Sequence, residues 1–177
     1  MDVETVILLD ASGSPLGTAD KATVHTTDTP LHLAFSCHVL DGEGLVLLTR
    51  RALAKKTWPG VWTNSVCGHP APGEAMEDAV RRRARFELGL DVTDLDLVAP
   101  DFRYRATDAS GIVENEICPI YTARAVGSPR PNPDEVMDHT WVTPQELHRA
   151  IDAAPWALSP WLVSSAPLLT LLHPERT

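Results

Sequence analysis

Apolar positions along the chain recur with two different periods, and the switches between them mark out the fold. The first run, ETVILL at residues 4–9, reads as a strand closed by the turn-rich DASGSPLG. LHLAFSCHVL (31–40) and LVLLTRR (45–51) are β-type runs joined by DGEG, a strong hairpin signal. KKTWPG (55–60) interrupts the pattern as a loop, and VWTNSVC (61–67) resumes it as another strand. The period then lengthens. Across APGEAMEDAVRRRARFELGL (71–90) the apolar residues Met76, Val80, Ala84 and Leu88 recur every fourth position. Gly73 precedes this helix, Glu74, Glu77 and Asp78 sit in its first turns, and Gly89 stops it.

FRYRATD (102–108) and IVENEICPIYTA (112–123) flank the turn ASG and predict a second hairpin. VGSPRPNPDE (126–135) is a proline-rich loop, and HTWV (139–142) a short strand. In TPQELHRAI, Thr143 is placed as N-cap, Pro144 as first helical residue, and Glu146 completes a capping box. WALSPWLVSSAPLLTLL (156–172) reads as a final helical segment interrupted by prolines. Hairpins around one central helix, with helices at the end, predict a mixed-sheet α/β sandwich. A length of 177 residues suits one domain over 1–177 with a core that needs no disulfides.

Composition narrows the functional classes. Three cysteines at wide spacing, Cys37, Cys67 and Cys118, argue for reduced thiols and a cytoplasmic setting. MDVETVILLD has an acid at position 2 and too short an apolar run for a secretory signal, and no run approaches a membrane span. A net charge of −9 argues against a nucleic-acid partner. Eight of the 15 basic residues nonetheless fall in two clusters, RRALAKK and RRRAR. They are either two solvated faces or the seat of a small anionic ligand.

Two stretches carry candidate chemistry. In VENEICP, alternation on a strand points Glu114 and Glu116 the same way, into solvent or into a cavity. In a cavity, two like charges raise each other's pKa unless a cation lies between them. His25 and His32 in HTTDTPLH, with His69 in CGH, supply imidazoles. Three imidazoles and two carboxylates form a nitrogen–oxygen set suited to a first-row divalent ion such as Mn²⁺, with Zn²⁺ as the alternative. Cys67, two residues before His69, is open at this stage to three roles: packed thiol, ligand, or chemical group.

The loop and helix GHPAPGEAMEDAVRRRARFELGL follow the outline of the Nudix signature: Gly68, Glu74, Arg82, then Glu87, Leu88, Gly89, Leu90. Two glutamates of that signature are replaced, by Arg83 and Phe86. A hydrolase needs several carboxylates to bind metal and activate water, so the outline reads as a diphosphate-binding Nudix fold without the hydrolytic set. HTTDTPLHLAFS, TRRALAKKTWPGVWTNSVCGHP, DFRYRATD, GIVENEICPIY and PWALSPW, spanning residues 25–161, resemble the type I isopentenyl-diphosphate isomerase family.

The resemblance implies a Nudix-type α/β/α sandwich that is a monomer and isomerises an isoprenoid diphosphate. It implies a metal held by His25, His32, His69, Glu114 and Glu116. A second ion, Mg²⁺, would come with the diphosphate and bind Glu87. Lys21, Arg51, Lys55 and Arg83 would contact the diphosphate. Cys67 and Glu116 would be the acid/base pair, Tyr104 would assist near Glu116, and Trp161 would place its ring against a carbocation. Trp58 and Trp62 are expected to pack.

Overall fold

The computed structural model describes residues 4–172. In chain order its elements begin with β1 (Thr5–Leu9), β2 (Pro15–Asp20), α1 (Lys21–Val24), β3 (His32–Leu33), β4 (Phe35–Leu40), β5 (Val46–Arg51), β6 (Trp62–Thr63) and β7 (Val66–Gly68). There follow α2 (Met76–Leu88), β8 (Asp91–Ala99), β9 (Arg103–Thr107), β10 (Val113–Ile117), β11 (Ile120–Val126), β12 (Val136–Val142), α3 (Pro144–Ala153) and α4 (Pro160–Ser165). No described helix is long and apolar enough to cross a membrane.

The strands form two sheets. One has the order β2-β1-β3-β10-β9. The other has the order β12-β5-β4-β11-β8, with β6 added to β5 and β7 to β4. Two parallel pairs cross from sheet to sheet. β3 runs beside β10 in the first and continues as β4 beside β11 in the second. Backbone bonds from Ala34 to Ile117 and from Ser36 to Pro119 carry the pairing across the break. Each of the expected strands 31–40 and 112–123 is therefore two strands, bent at Ala34 and at Cys118–Pro119.

Side chains alternate across the second sheet, as a period of two requires. Leu47 packs with Ala79, Val80, Ala84 and Leu88 of α2, whereas Val46 and Leu48 pack with Leu147, Ile151, Trp161 and Leu162 of α3 and α4. Around this sheet the layers are helix, sheet, helix, the arrangement that the family resemblance implies. Three turns share the sequence Asp-x-x-Gly, at Asp10, Asp41 and Asp108. Each aspartate accepts two backbone N–H groups two and four residues ahead. The capping box at Thr143 and Glu146 forms as expected.

Several expectations need correction. Val61–Cys67 is not one strand but β6 and β7, separated by Asn64 and Ser65. β2, α1 and β8 were not expected. β2 is an exposed edge strand without an apolar face, and β8 buries only Val92 and Ala99, so neither shows clear alternation. The strand expected at 139–142 begins earlier, at Val136. Glu74 lies before α2 rather than in its first turn. The final segment is a 3₁₀ turn at Pro155–Ala157, then α4, then two more 3₁₀ turns at Ala166–Leu168 and Thr170–Leu172.

α2 approaches β7 closely at Gly68. A Cβ there would lie 2.7 Å from Arg83 Cγ and 3.1 Å from Phe35 Cζ. Gly68→Ala is expected to lower stability by about 1–3 kcal/mol, the usual cost of overpacking, read from the urea midpoint. An unchanged midpoint contradicts this account of the contact.

Candidate active site

The two crossing strand pairs bring the chemistry-bearing residues together. Parallel register places His32 opposite Glu116, and antiparallel register places Tyr104 opposite Glu116. Glu116 Oε1 lies 3.1 Å from His69 Nε2 and 3.4 Å from His32 Nε2, and Oε2 accepts the Tyr104 hydroxyl at 2.8 Å. Glu114 sits beside it on the same strand face. Its Oε2 lies 3.0 Å from His25 Nε2, and its Oε1 accepts from Thr57 Oγ1 at 2.7 Å. The three imidazole rings stand 5.1–5.9 Å apart.

These groups fit a divalent cation. One ligand atom each from His25, His32, His69 and Glu116 lies within 4.8 Å of all the others. His25 Nε2, His32 Nε2 and Glu114 Oε2 are buried without a hydrogen bond of proper geometry. Buried polar atoms left so are costly unless something else satisfies them. His32 Nδ1 lies 2.9 Å from Pro30 O, which favours the proton on Nδ1 and leaves Nε2 a lone pair facing the carboxylates. Burial would raise the Glu116 carboxyl, but the hydrogen bond with His69 and the charge of the His69 and His32 imidazoles hold it well below the usual carboxylate range. Burial would lower His32, but Glu116 outweighs it and raises the imidazole.

A cavity of about 600 Å³ opens beside this cluster. Every site residue named from the sequence lines it except His32, which is fully buried behind. Cys67 faces it from β7. Its sulfur donates to Asn64 Oδ1 at 3.2 Å and lies 3.4 Å from Ser36 Oγ. Burial pushes the Cys67 thiol up to about 11, against a smaller opposing effect from those two hydrogen bonds. At neutral pH it is therefore S–H. Burial and the neighbouring carboxylates also raise Tyr104 well above its ordinary value, so it remains a donor. Trp161 lies among Tyr104 at 5.7 Å, Trp58 edge-on at 5.5 Å and the Arg51 guanidinium at 5.4 Å.

The remaining wall is cationic. Lys21, Arg51, Lys55 and Arg83 line it with Glu87. Carboxylates hold three of these cations in place. Lys21 pairs with Glu4 at 2.7 Å, Lys55 with Glu135, and Arg83 with Glu87 and with Glu4 at 3.4 Å. Arg51 is instead fixed by donating through Nε and Nη2 to Thr57 O at 3.0 and 2.8 Å. Burial lowers Lys55 to about 8, assisted by Arg51, Arg83 and Lys21 and opposed by Glu87.

Sequence reasoning missed Glu4, Thr57, Asn64 and Glu135. Only Asn64 left a signal, a polar residue within an otherwise strand-like run. The others depend on partners remote in sequence.

The NUDIX domain model matches residues 30–162. An isopentenyl-diphosphate Delta-isomerase of Agromyces mediolanus is 64% identical over 169 residues, covering 96% of this chain and 82% of that protein. Another, from Clavibacter michiganensis subsp. michiganensis, is 61% identical over 173 residues, covering 98% and 88%. The chain belongs to the Nudix isopentenyl-diphosphate isomerase family. Its fold is also similar to a solved structure from Deinococcus radiodurans, with TM-score 0.70, 20% identity, and coverage of 93% and 98%. A MutT NUDIX hydrolase of Burkholderia pseudomallei gives TM-score 0.60 at 24% identity, over 79% of this chain and 98% of that one.

The Nudix signature residues now acquire separate duties. Arg82 grips Glu74 through two bonds of 2.7 Å and donates to His69 O at 3.1 Å. That clamp pins the loop carrying His69 to α2. Arg83 enters the cavity, and Phe86 lies half exposed outside it.

Adding Mn²⁺ or Zn²⁺ is expected to raise the melting midpoint, by the equivalent of about 2.7 kcal/mol at a hundredfold excess over Kd. The effect weakens as pH falls below neutral, because the metal must displace protons from the imidazoles, and His32 holds its proton more tightly than usual. His69→Ala should abolish most of the shift. An equal shift in that variant places the metal elsewhere.

Proposed function

We propose that the chain, over residues 1–177 as one domain, interconverts isopentenyl and dimethylallyl diphosphate. The reaction is a 1,3-allylic proton shift through a tertiary carbocation. The reading rests on one juxtaposition: an un-ionised thiol, an ionised carboxylate and an aromatic ring face one cavity whose far wall is cationic. High identity to curated isomerases supports it.

Lys21, Arg51, Lys55 and Arg83 hold the diphosphate, the arginines as forks and the lysines as point charges. Arg83 replaces an acid of the hydrolytic signature, which favours binding over cleavage. Cys67 and Glu116 form the acid/base pair. In the resting state they share one proton, carried on sulfur, and the allylic shift conserves that count. Tyr104 steadies Glu116 by hydrogen bonding. Trp161 offers its ring to the carbocation, worth about 2 kcal/mol or more where water is excluded.

Mn²⁺ or Zn²⁺, held by His25, His32, His69, Glu114 and Glu116, would stabilise the ionised carboxylate. Mg²⁺ with the substrate diphosphate would take Glu87. We read the protein as a cytoplasmic monomer with a small-molecule partner and no nucleic acid.

Incubated with isopentenyl diphosphate in heavy water, the protein is expected to yield dimethylallyl diphosphate carrying deuterium. Cys67→Ala should fold and bind substrate yet lose nearly all turnover. Absence of deuterium, or near-normal turnover by Cys67→Ala, would sink the reading.

Lys55 predicts a pH effect of definite sign. It carries its charge below about 8 and loses it above, so KM should rise about tenfold between pH 7 and 9.5. Lys55→Arg, which keeps its charge, should flatten that rise. A wild-type KM flat across this range contradicts the role.

A further inference from the structure

Asn64 is a buried polar side chain of the cavity wall that the proposed chemistry leaves unused. It lies between β6 and β7 and is 1% exposed. Its Nδ2 donates to two backbone carbonyls, Cys37 O and Val66 O, both at 3.1 Å. With both amide protons committed to fixed backbone, the carboxamide has one orientation. Its Oδ1 accepts three hydrogen bonds, from Thr63 Oγ1 at 2.9 Å, Trp161 Nε1 at 3.0 Å and Cys67 Sγ at 3.2 Å.

Two of those donors are the thiol and the indole to which the proposed reaction assigns the proton and the cation. They come from β7 and from α4, elements remote in sequence, and meet on one oxygen atom. We propose that Asn64 is a positioning residue for the isomerisation, fixing the Cys67 sulfur and the Trp161 ring relative to each other. The inference rests on the proposed function of those two residues.

The physical need is specific. The alkene must meet the acid at one carbon while the ring faces the carbon that becomes positive. Misplacement by about 1 Å can cost about a hundredfold in rate. A thiol has a free rotor, and an indole on a short helix can tilt. Donating both to a single immobile acceptor removes both freedoms. The diphosphate is gripped separately, by Lys21, Arg51, Lys55 and Arg83, so loss of Asn64 should strike turnover rather than binding.

Ser65, the next residue, supplies the control. It is fully buried in the same turn, where its Oγ donates to Leu47 O and accepts from Val39 N–H, both at 2.7 Å. It has no hydrogen bond to Cys67 or Trp161. Ser65→Ala therefore reports the cost of loosening the turn without disturbing the shared acceptor. Asn64→Asp makes the complementary separation. It loses both Nδ2 donations, and so the stability they confer, but keeps an acceptor for the sulfur and the indole.

The experiment is steady-state kinetics with isopentenyl diphosphate and divalent metal, alongside melting midpoints. Asn64→Ala is expected to lower kcat about a hundredfold with KM within threefold of wild type. Ser65→Ala should lower the midpoint while kcat stays within threefold. Asn64→Asp should recover at least tenfold of the lost kcat. Asn64→Ser, too short to bridge sulfur and indole, stands in under the same criterion if Asn64→Ala does not fold. The proposal is overturned if Asn64→Ala keeps kcat within threefold, if Ser65→Ala loses as much kcat, or if Asn64→Asp recovers nothing. Cys67→Ala is assayed in parallel. Near-normal turnover there would overturn the underlying functional reading instead, whatever Asn64 does.

Discussion

The ionised carboxylate of Glu116, buried at the junction of two sheets, is the constraint around which this structure is organised. It is 6% exposed. A charge in that position survives only if it is paired and hydrogen-bonded. Its partners arrive from three directions: His32 from the parallel neighbour β3, Tyr104 from the antiparallel neighbour β9, and His69 from the loop after β7. The strand bends at Ala34 and Cys118–Pro119 let the same two segments serve both sheets. The carboxylate can thus lie at the floor of a cavity while apolar layers close on either side.

The Nudix loop and helix are put to a different use from the one their acids would imply. Glu74 and Arg82 bind each other and hold the backbone of His69, so they act as a brace. Gly68 lets α2 come near enough for Arg83 to enter the cavity. There Arg83 meets Glu4, Glu87 and Glu135. Three of the four cations of that wall, Lys21, Lys55 and Arg83, are therefore already paired with carboxylates. On the proposed reading, an incoming diphosphate would exchange partners at these three cations, which favours a ligand carrying more negative charge than the carboxylates it displaces.

Much of this was legible in the sequence where the cause is local. The Asp-x-x-Gly turns, the capping box at Thr143 and the four-residue stripe of α2 each depend on neighbours a few positions away. Glu114 and Glu116 share a face because alternation is intrinsic to a strand. The convergence of His25, His32 and His69 followed from residue type and from family resemblance, not from spacing alone. What escaped was set by pairing at a distance. β2 and β8 carry little apolar pattern because they lie at sheet edges. Thr57, which joins Glu114 to Arg51, and Glu135, which pairs with Lys55, lie in unremarkable loops. Asn64 interrupts a strand-like run, yet its contacts with Cys37 and Trp161 exist only once β4 and α4 are in place.

The central claim is that the imidazoles and carboxylates at the foot of the cavity form one metal centre that fixes Glu116 in its ionised state. Anomalous diffraction at the manganese edge, from crystals grown with Mn²⁺, tests it most directly. The account predicts one strong peak about 2.0–2.3 Å from a nitrogen of each of His25, His32 and His69 and from an oxygen of each of Glu114 and Glu116. A peak elsewhere, or no peak while Glu116 remains bonded to His32 and His69, contradicts it.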